Sequence, residues 1–148
     1  EFPKSGFKIL KKIIKKISKS NGFFLMIDYG YTKPNNQNTL QSVIKHKKNN
    51  VLENLGKADI TSHVNFSLLS EFLEKNKLKV KKTISQKEFL EKMGIIRRAE
   101  IIAKKMRFSE QTNLYLRLKR LLDSNYMGNL FKVILAYKDK SKNNSKCN

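Results

Sequence analysis

An unbroken apolar run that ends on a carboxylate and a glycine constrains this chain more than any other feature. Residues 23–27 read Phe-Phe-Leu-Met-Ile, and Asp28, Tyr29 and Gly30 follow directly. A run of this length predicts a strand buried on both faces. In open α/β sheets, ligands bind just beyond the carboxyl ends of such strands, so Asp28 and Tyr29 would face a binding site. The alternative is that Asp28 only caps a turn, aided by Gly30.

A basic amphipathic helix is predicted over residues 5–19, just before this strand. Its apolar residues fall at helical spacing and lysines take the other face, and Asn21-Gly22 ends it. A helix that returns at once into a buried strand indicates half of a doubly wound α/β sheet. A basic amphipathic helix can also lie on a membrane surface, and this reading stays open.

The segment from Thr32 to Lys57 is polar and carries His46. A connection of this length is usually functional or unstructured, which favours a lid over the site or, alternatively, an unstructured insertion. The rest of the chain predicts further elements. They are an extended segment 59–64, a helix from 66 to about 76 with Asn65 as its N-cap, an edge strand 78–84, a helix with Ser85 as its N-cap, helices starting near 95 and 110, a last strand 130–137 and a disordered tail.

Several short motifs occur in one order along the chain, and together they carry a family resemblance. They are Ile27-Asp28-Tyr29-Gly30-Tyr31, Thr39-Leu40-Gln41 with His46, Gly56, Asp59 to Phe66, Ser85-Gln86 with Phe89-Leu90, Gly94-Ile95 with Arg97-Arg98, and Met127-Gly128 with Phe131-Lys132-Val133. In this order they resemble the C-terminal half of the MidA-type S-adenosyl-L-methionine (SAM)-dependent methyltransferases. The chain departs from the family pattern at Asn65, Ser85 and residues 50–52, where the family usually has Asp, Thr and Asp-Pro-Leu.

The resemblance implies an α/β fold, the C-terminal part of a class I (Rossmann-like) methyltransferase with additional helices. Residues 1–137 would form part of one methyltransferase domain, and residues 138–148 a basic tail. It also implies a fragment that lacks the glycine-rich SAM loop, so the cofactor-binding residues are unknown and expected upstream of Glu1. The implied substrate is a protein arginine, since mitochondrial members of the family dimethylate an arginine in a subunit of respiratory complex I.

Methylation of a guanidinium requires groups that orient it and help it lose a proton. A carboxylate at a strand end can do this through bidentate hydrogen bonds, so Asp28 is the first candidate. Tyr29 would pack on the guanidinium plane or the methyl donor, and His46 would act as a base or only anchor its loop. Substrate contacts are expected from Glu1 and from Asp59, Thr61 and His63, which share one face of an extended segment. A structural hydrogen-bond network is the alternative for these three.

The formal net charge of +20, from 32 Lys and Arg against 12 Asp and Glu, would ordinarily favour nucleic acid or an anionic membrane as a partner. The excess is mostly lysine and is spread over every segment, which favours a compositional bias of an AT-rich genome. A non-enzymatic basic module that binds RNA or anionic lipid stays as the alternative, and a homodimer stays open. One Cys and two His residues predict no metal site, and a bacterial cytoplasmic location is expected.

Overall fold

The computed structural model describes residues 3–33 and 38–139. Glu1 and all of the predicted tail except residues 138 and 139 lie outside these ranges. The helices are α1 (Lys4–Ser20), α2 (Phe66–Lys75), α3 (Gln86–Lys92), α4 (Ile95–Ala103), α5 (Phe108–Leu122) and α6 (Met127–Leu130). The strands are β1 (Phe23–Tyr31), β2 (Gln41–Ile44), β3 (Lys47–Asn49), β4 (Asp59–Thr61), β5 (Val64–Asn65), β6 (Lys79–Val80), β7 (Ile84–Ser85) and β8 (Phe131–Tyr137).

The predicted first helix and its end are confirmed. Asn21 takes a left-handed conformation with φ of 51°, and the Gly22 N–H donates to the Ile17 carbonyl at 3.0 Å. The Asn21 N–H donates to the same carbonyl, which is one of those that lie in the last turn of the helix. The chain then enters β1 directly after Asn21 and Gly22, as the sequence predicts.

The main sheet is mixed, and β1 lies in its middle. β1 pairs antiparallel with β8 along seven residues, from Phe23 opposite Tyr137 to Tyr29 opposite Phe131. β5 pairs parallel with β1 at Gly30 and Tyr31 only, while β6 and β7 pair with β8. An α/β fold is therefore confirmed, but only two residues of the strand are in a parallel pairing.

One face of this sheet carries the core. Phe24 and Met26 of β1 pack with the fully buried Ile134 and Ala136 of β8 against α1 and α2. The core is completed by Ile14, Phe66, Leu69, Leu73 and Leu78. Burial of these side chains is the main term that holds α1 and α2 on the sheet.

The prediction that β1 is buried on both faces is wrong for the described part of the chain. Its residues alternate, and Phe23, Leu25 and Ile27 are 69%, 42% and 41% exposed on the face opposite the core. Apolar residues on both faces of a strand indicate that both faces can be covered. They do not indicate whether the covering residues lie in the described part of this chain.

The prediction of a loop from Thr32 to Lys57 is also wrong in large part. β2 and β3 form a hairpin, and β4 pairs with the other edge of β2 to give a three-stranded antiparallel sheet. Residues 34–37 lie outside the described ranges. The buried Ser42 accepts a hydrogen bond from the Asn49 amide at 3.1 Å, so polar residues hold this small sheet together.

The C-terminal helices follow the sequence signals closely. The Ser85 hydroxyl caps α3 by accepting from the Glu88 N–H at 3.1 Å, as the predicted cap requires. The predicted edge strand is split into β6 and β7, and α6 is a short helix that the sequence did not predict. Within residues 3–33 and 38–139, no helix combines the length and the apolar character that crossing a bilayer demands.

Candidate functional site

Asp28 lies near the carboxyl end of β1, as the sequence predicts. Its carboxylate is half-buried, and one oxygen accepts a hydrogen bond from the Tyr29 N–H at 2.8 Å. This bond to the next residue lies within β1 and is not the bond of an Asx turn, which reaches the N–H two residues on, and it uses only one oxygen. The second oxygen of the carboxylate has lone pairs available to a guanidinium or another donor.

Gly30 lets the neighbouring strand approach β1 at this end. A Cβ at Gly30 would lie 2.2 Å from the Val64 carbonyl oxygen and 2.8 Å from the ring of the fully buried Phe66. Only a residue without a side chain leaves room for both. The glycine therefore fixes β5 beside β1, and this pairing brings His63 next to Tyr29.

Tyr29 lies between two rings. Its ring contacts the His63 imidazole edge-on at a centroid distance of 5.5 Å, and it contacts the Phe131 ring at 5.6 Å with a similar angle. Both geometries are favourable for aromatic pairs and restrict the tyrosine rotamer. The predicted site residues Tyr29 and His63 are thus brought together at the end of β1.

The small sheet approaches the same place through β4. Thr61 lies opposite Gln41, and the His63 N–H donates to the Thr39 hydroxyl at 3.2 Å. Asp59 lies two residues further from this end, is exposed, and is opposite Val43. Asp59, Thr61 and His63 thus follow one another along the segment that leads to β5, and His63 contacts Tyr29.

His46 is placed elsewhere. It is exposed at the turn between β2 and β3, where Lys45 and His46 have φ values of 50° and 62°. β2 spans about 10 Å at the usual rise per residue, and Thr61 is paired at its far end. The structure therefore separates His46 from the part of the small sheet that reaches Tyr29.

Lys132 is a residue near Asp28 that sequence reasoning missed. The register of β1 and β8 places it directly opposite Asp28, and its ammonium donates to the Asn129 carbonyl. Desolvation by burial lowers the pKa of Lys132 below its ordinary value of 10.5. Lys132 belongs to the Phe131-Lys132-Val133 motif of the family resemblance, and this motif marked it as a residue of interest. Only the strand register shows that it lies beside Asp28.

A groove of about 630 Å³ runs along the core side of β1 next to this cluster. Its walls are mostly apolar side chains of α1, β1 and α2, with Ser62, His63 and Asn65 at its polar end. Asn65 also caps α2 by accepting from the Leu68 N–H at 3.0 Å. The Asn that replaces the usual family Asp is therefore a good helix cap, while the negative charge is lost.

The described glycines do not form a cradle for a cofactor. At Gly30 and Gly128, neighbouring backbone atoms already occupy the space that a side chain would need. Gly56 and Gly94 lie in turns with positive φ and open surroundings. None of these four gives a glycine-rich turn between a sheet strand and a helix N-terminus, where a cofactor could approach the backbone. Within residues 3–33 and 38–139, no cluster of three or more His, Cys, Asp or Glu side chains could hold a metal ion.

Comparison with known families gives a match over more than half of the chain. Residues 1–84 match a family described as "Putative S-adenosyl-L-methionine-dependent methyltransferase". This matched range includes β1, both strands of the hairpin, β4, β5 and α2. The site residues Asp28, Tyr29 and His63 all fall within it.

Two curated relatives cover most of the chain. The chain is 34% identical over 112 residues to the mitochondrial protein arginine methyltransferase NDUFAF7 homolog of Caenorhabditis elegans, which is 74% of this chain and 26% of that relative. It is 30% identical over 125 residues to the Xenopus tropicalis protein, or 84% and 29%. The chain thus spans between a quarter and a third of the length of these relatives.

A solved structure shares the fold. It is a crystal structure of a Burkholderia thailandensis protein bound to S-adenosyl-homocysteine, with a TM-score of 0.78 and 22% identity. The similarity covers 93% of this chain and 36% of the other. At this identity the similarity establishes the architecture alone.

Proposed function

The chain belongs to this family of SAM-dependent methyltransferases, and we propose that it forms the substrate-side part of an enzyme that methylates protein arginine. The observation that carries the proposal is the 34% identity over 112 residues to a protein named as an arginine methyltransferase. The geometry supports it, because the matched segment carries the Asp28 carboxylate near the end of β1, and the next residue, Tyr29, has a ring that contacts His63 and Phe131.

The residues near the end of β1 suit a guanidinium. The free carboxylate oxygen of Asp28 would accept from the guanidinium and orient it. Tyr29, held by His63 and Phe131, would pack against the guanidinium plane. Asp59 and Thr61 would contact the substrate chain along the small sheet, whereas His46 at the hairpin tip would act as a turn residue.

SAM, when bound, supplies an electrophilic methyl group. We propose that residues outside this chain hold most of it, because the described glycines offer no cradle. A subunit of respiratory complex I is the specific substrate that the resemblance implies. The two relatives are mitochondrial by name, and a bacterial cytoplasmic location and a homodimer both stay predictions for this chain.

The test uses a chimera, defined as the C. elegans relative with its matched 112 residues replaced by the corresponding residues of this chain. Incubation with SAM labelled on the methyl group and a mitochondrial protein extract should give labelled methylarginine after acid hydrolysis. The unaltered relative is the positive control. Label recovered only in other amino acids would contradict arginine as the acceptor.

A second candidate function is a basic module that binds RNA or anionic lipid. The lysines of α1 favour it, because Lys8, Lys11, Lys12, Lys15 and Lys16 are all exposed. Binding of this kind falls steeply with added salt. RNA or vesicle binding that shows such a salt slope, in a chimera without methyl transfer, would support this candidate.

A further inference from the structure

All five arginines of this chain fall within residues 97–120, although lysine is its usual basic residue. The 27 lysines are spread along the whole chain, whereas the arginines lie on or beside α4 and α5, at Arg97, Arg98, Arg107, Arg117 and Arg120. A guanidinium differs from an ammonium because it is planar and offers paired donors that match a carboxylate. The concentration of arginines therefore indicates a surface on which guanidinium geometry matters.

The helices α4 and α5 are held in place by hydrogen bonds to and across their turn. The Gln111 side-chain amide donates to the Ala103 and Met106 carbonyls, both at 3.1 Å. The buried Gln86 of α3 donates to the Leu121 carbonyl at 3.0 Å. Both helices also pack against α3, so their exposed faces adjoin on the side away from it.

The guanidinium groups on these helices have no acidic partner within residues 3–33 and 38–139. All five arginines are exposed, and the ion pairs in that part of the chain are formed by lysines. Glu110, one of two acidic residues between 95 and 122, accepts from the backbone N–H of Arg107 at 2.8 Å. The same segment carries eight basic residues, and this excess of positive charge favours an acidic partner.

Exposed apolar side chains lie between the arginines. Ile101 is 54% exposed and lies one turn after Arg97, on the face of α4 opposite its buried alanines. On α5, Leu116 is 59% exposed and lies one turn before Arg120. Interfaces between proteins are enriched in arginine and depleted in lysine, and their centres are apolar. Nucleic-acid interfaces are more polar and use lysine as readily as arginine for phosphate, so a protein fits this surface better.

The exposed faces of α4 and α5 form what we call the arginine face. It comprises Arg97, Arg98, Ile101, Leu116, Arg117 and Arg120. We propose that this face docks a partner protein through a segment rich in carboxylates and apolar side chains. The guanidinium groups donate paired hydrogen bonds to the carboxylates, and the two apolar residues are covered by apolar side chains of the partner.

The position and the charge of the arginine face both fit a separate partner. The connection that carries it leaves and re-enters the sheet beside the candidate site, since Ser85 and Asp28 both pair with Lys132. The matched range 1–84 ends before this face, of which only Arg97-Arg98 belong to the motifs of the resemblance. A second copy of this chain is a poorer partner, because two chains of net charge +20 oppose association. The proposal does not rest on methyl transfer.

The experiment selects random linear peptides from a display library on the 148-residue chain at physiological salt. A charge-preserving variant serves for counter-selection, and it combines Arg97→Lys, Arg98→Lys, Arg117→Lys and Arg120→Lys. We expect the enriched peptides to combine Asp or Glu with large apolar residues. Their affinity, measured by titration calorimetry, should fall by about tenfold in this variant, because paired hydrogen bonds are lost while the net charge stays at +20.

Two further variants separate the arginine face from net charge. The α1 variant combines Lys8→Gln, Lys11→Gln, Lys12→Gln and Lys15→Gln, all at exposed positions, and removes four positive charges. It should bind the selected peptides within about twofold of the unaltered chain, because salt screens distant charges. Ile101→Ser with Leu116→Ser should weaken binding by removing the apolar contacts. The melting temperatures should hardly change, since every substituted side chain is exposed.

Three outcomes would overturn the proposal. The first is a selection in which no peptide binds the unaltered chain more tightly than the arginine-to-lysine variant. The second is a larger loss of affinity in the α1 variant than in the arginine-to-lysine variant, which would make binding a property of net charge. The third is a single-stranded RNA oligonucleotide that binds more tightly than any selected peptide and is lost in the arginine-to-lysine variant. No readout uses SAM or methyl transfer, so failure of the proposed function would not affect them.

Discussion

Gly30 connects the motif at the end of β1 to the packing of the sheet. Its missing side chain leaves space for the Val64 carbonyl and the Phe66 ring, and this close approach sets the parallel pairing with β5. The sequence suggested a turn role for this glycine. The structure shows a close approach between strands, which no local pattern could indicate because Phe66 is 36 residues away.

Gly30→Ala should therefore destabilise the chain by at least about 2 kcal/mol, since the new Cβ overlaps backbone that cannot easily move. Gly6→Ala is the control, because its Cβ would lie 3.6 Å from the nearest atom on exposed helix surface. It should stabilise by about 0.5–1 kcal/mol through helix propensity. Urea unfolding measures both, and equal effects of the two changes would contradict this account of Gly30.

Lys132 makes stability depend on pH in a defined direction. Its native pKa is lowered by burial, so the unfolded chain binds more protons between that value and 10.5. At neutral pH the partly buried charge of Lys132 lowers the free energy of unfolding. This free energy rises again as the pH increases through this window and the native lysine loses its proton. Lys132→Met should thus increase stability most at neutral pH, with a gain that shrinks toward pH 10.5. Unfolding curves that show a gain independent of pH would contradict the assignment.

At the scale of elements, the sequence predicted α1, α2, α3 and β8 well because each has a local signal. Apolar spacing placed the helices, and Ser85 and Asn65 act as the helix caps that the sequence indicated. The hairpin was missed because its strands are short and polar, so no alternation marks them. The register that brings Lys132 opposite Asp28 and His63 beside Tyr29 depends on contacts distant in sequence.

His46 can be tested as a turn residue. The turn needs positive φ at Lys45 and His46, a geometry in which glycine costs least. His46→Gly should keep or slightly raise the melting temperature of the chimera and leave its turnover within about twofold. A loss of turnover with unchanged stability would instead establish the predicted role of His46 as a base.

At the scale of the whole molecule, the described residues would carry the substrate side of the proposed enzyme, and no described strand pairs with one edge of β1 along residues 23–29. The fold class followed from the apolar run and the resemblance. The exposed outer face of β1 could not be foreseen, since an apolar strand has the same sequence whether or not its cover is present. Net charge did not decide the function, because lysines are spread over almost every segment of the sequence.

The 148-residue chain by itself should show no measurable affinity for SAM, because its described glycines form no cofactor cradle. Titration calorimetry with the 148-residue chain should give no heat of binding at millimolar SAM, whereas the chimera should bind. Micromolar affinity of the chain alone would place the cofactor site within these residues.

Asp28→Asn in the chimera tests the central claim most directly, because it keeps the side-chain shape and removes the charge. The rate at which the chimera forms methylarginine should fall by roughly a hundredfold, since a lost charge-assisted contact at a transition state costs a few kcal/mol. The melting temperature should hardly change, because the amide oxygen can still accept from the Tyr29 N–H. A variant that melts well below the parent and keeps its specific activity would show that Asp28 is a structural cap and that the proposed site is wrong.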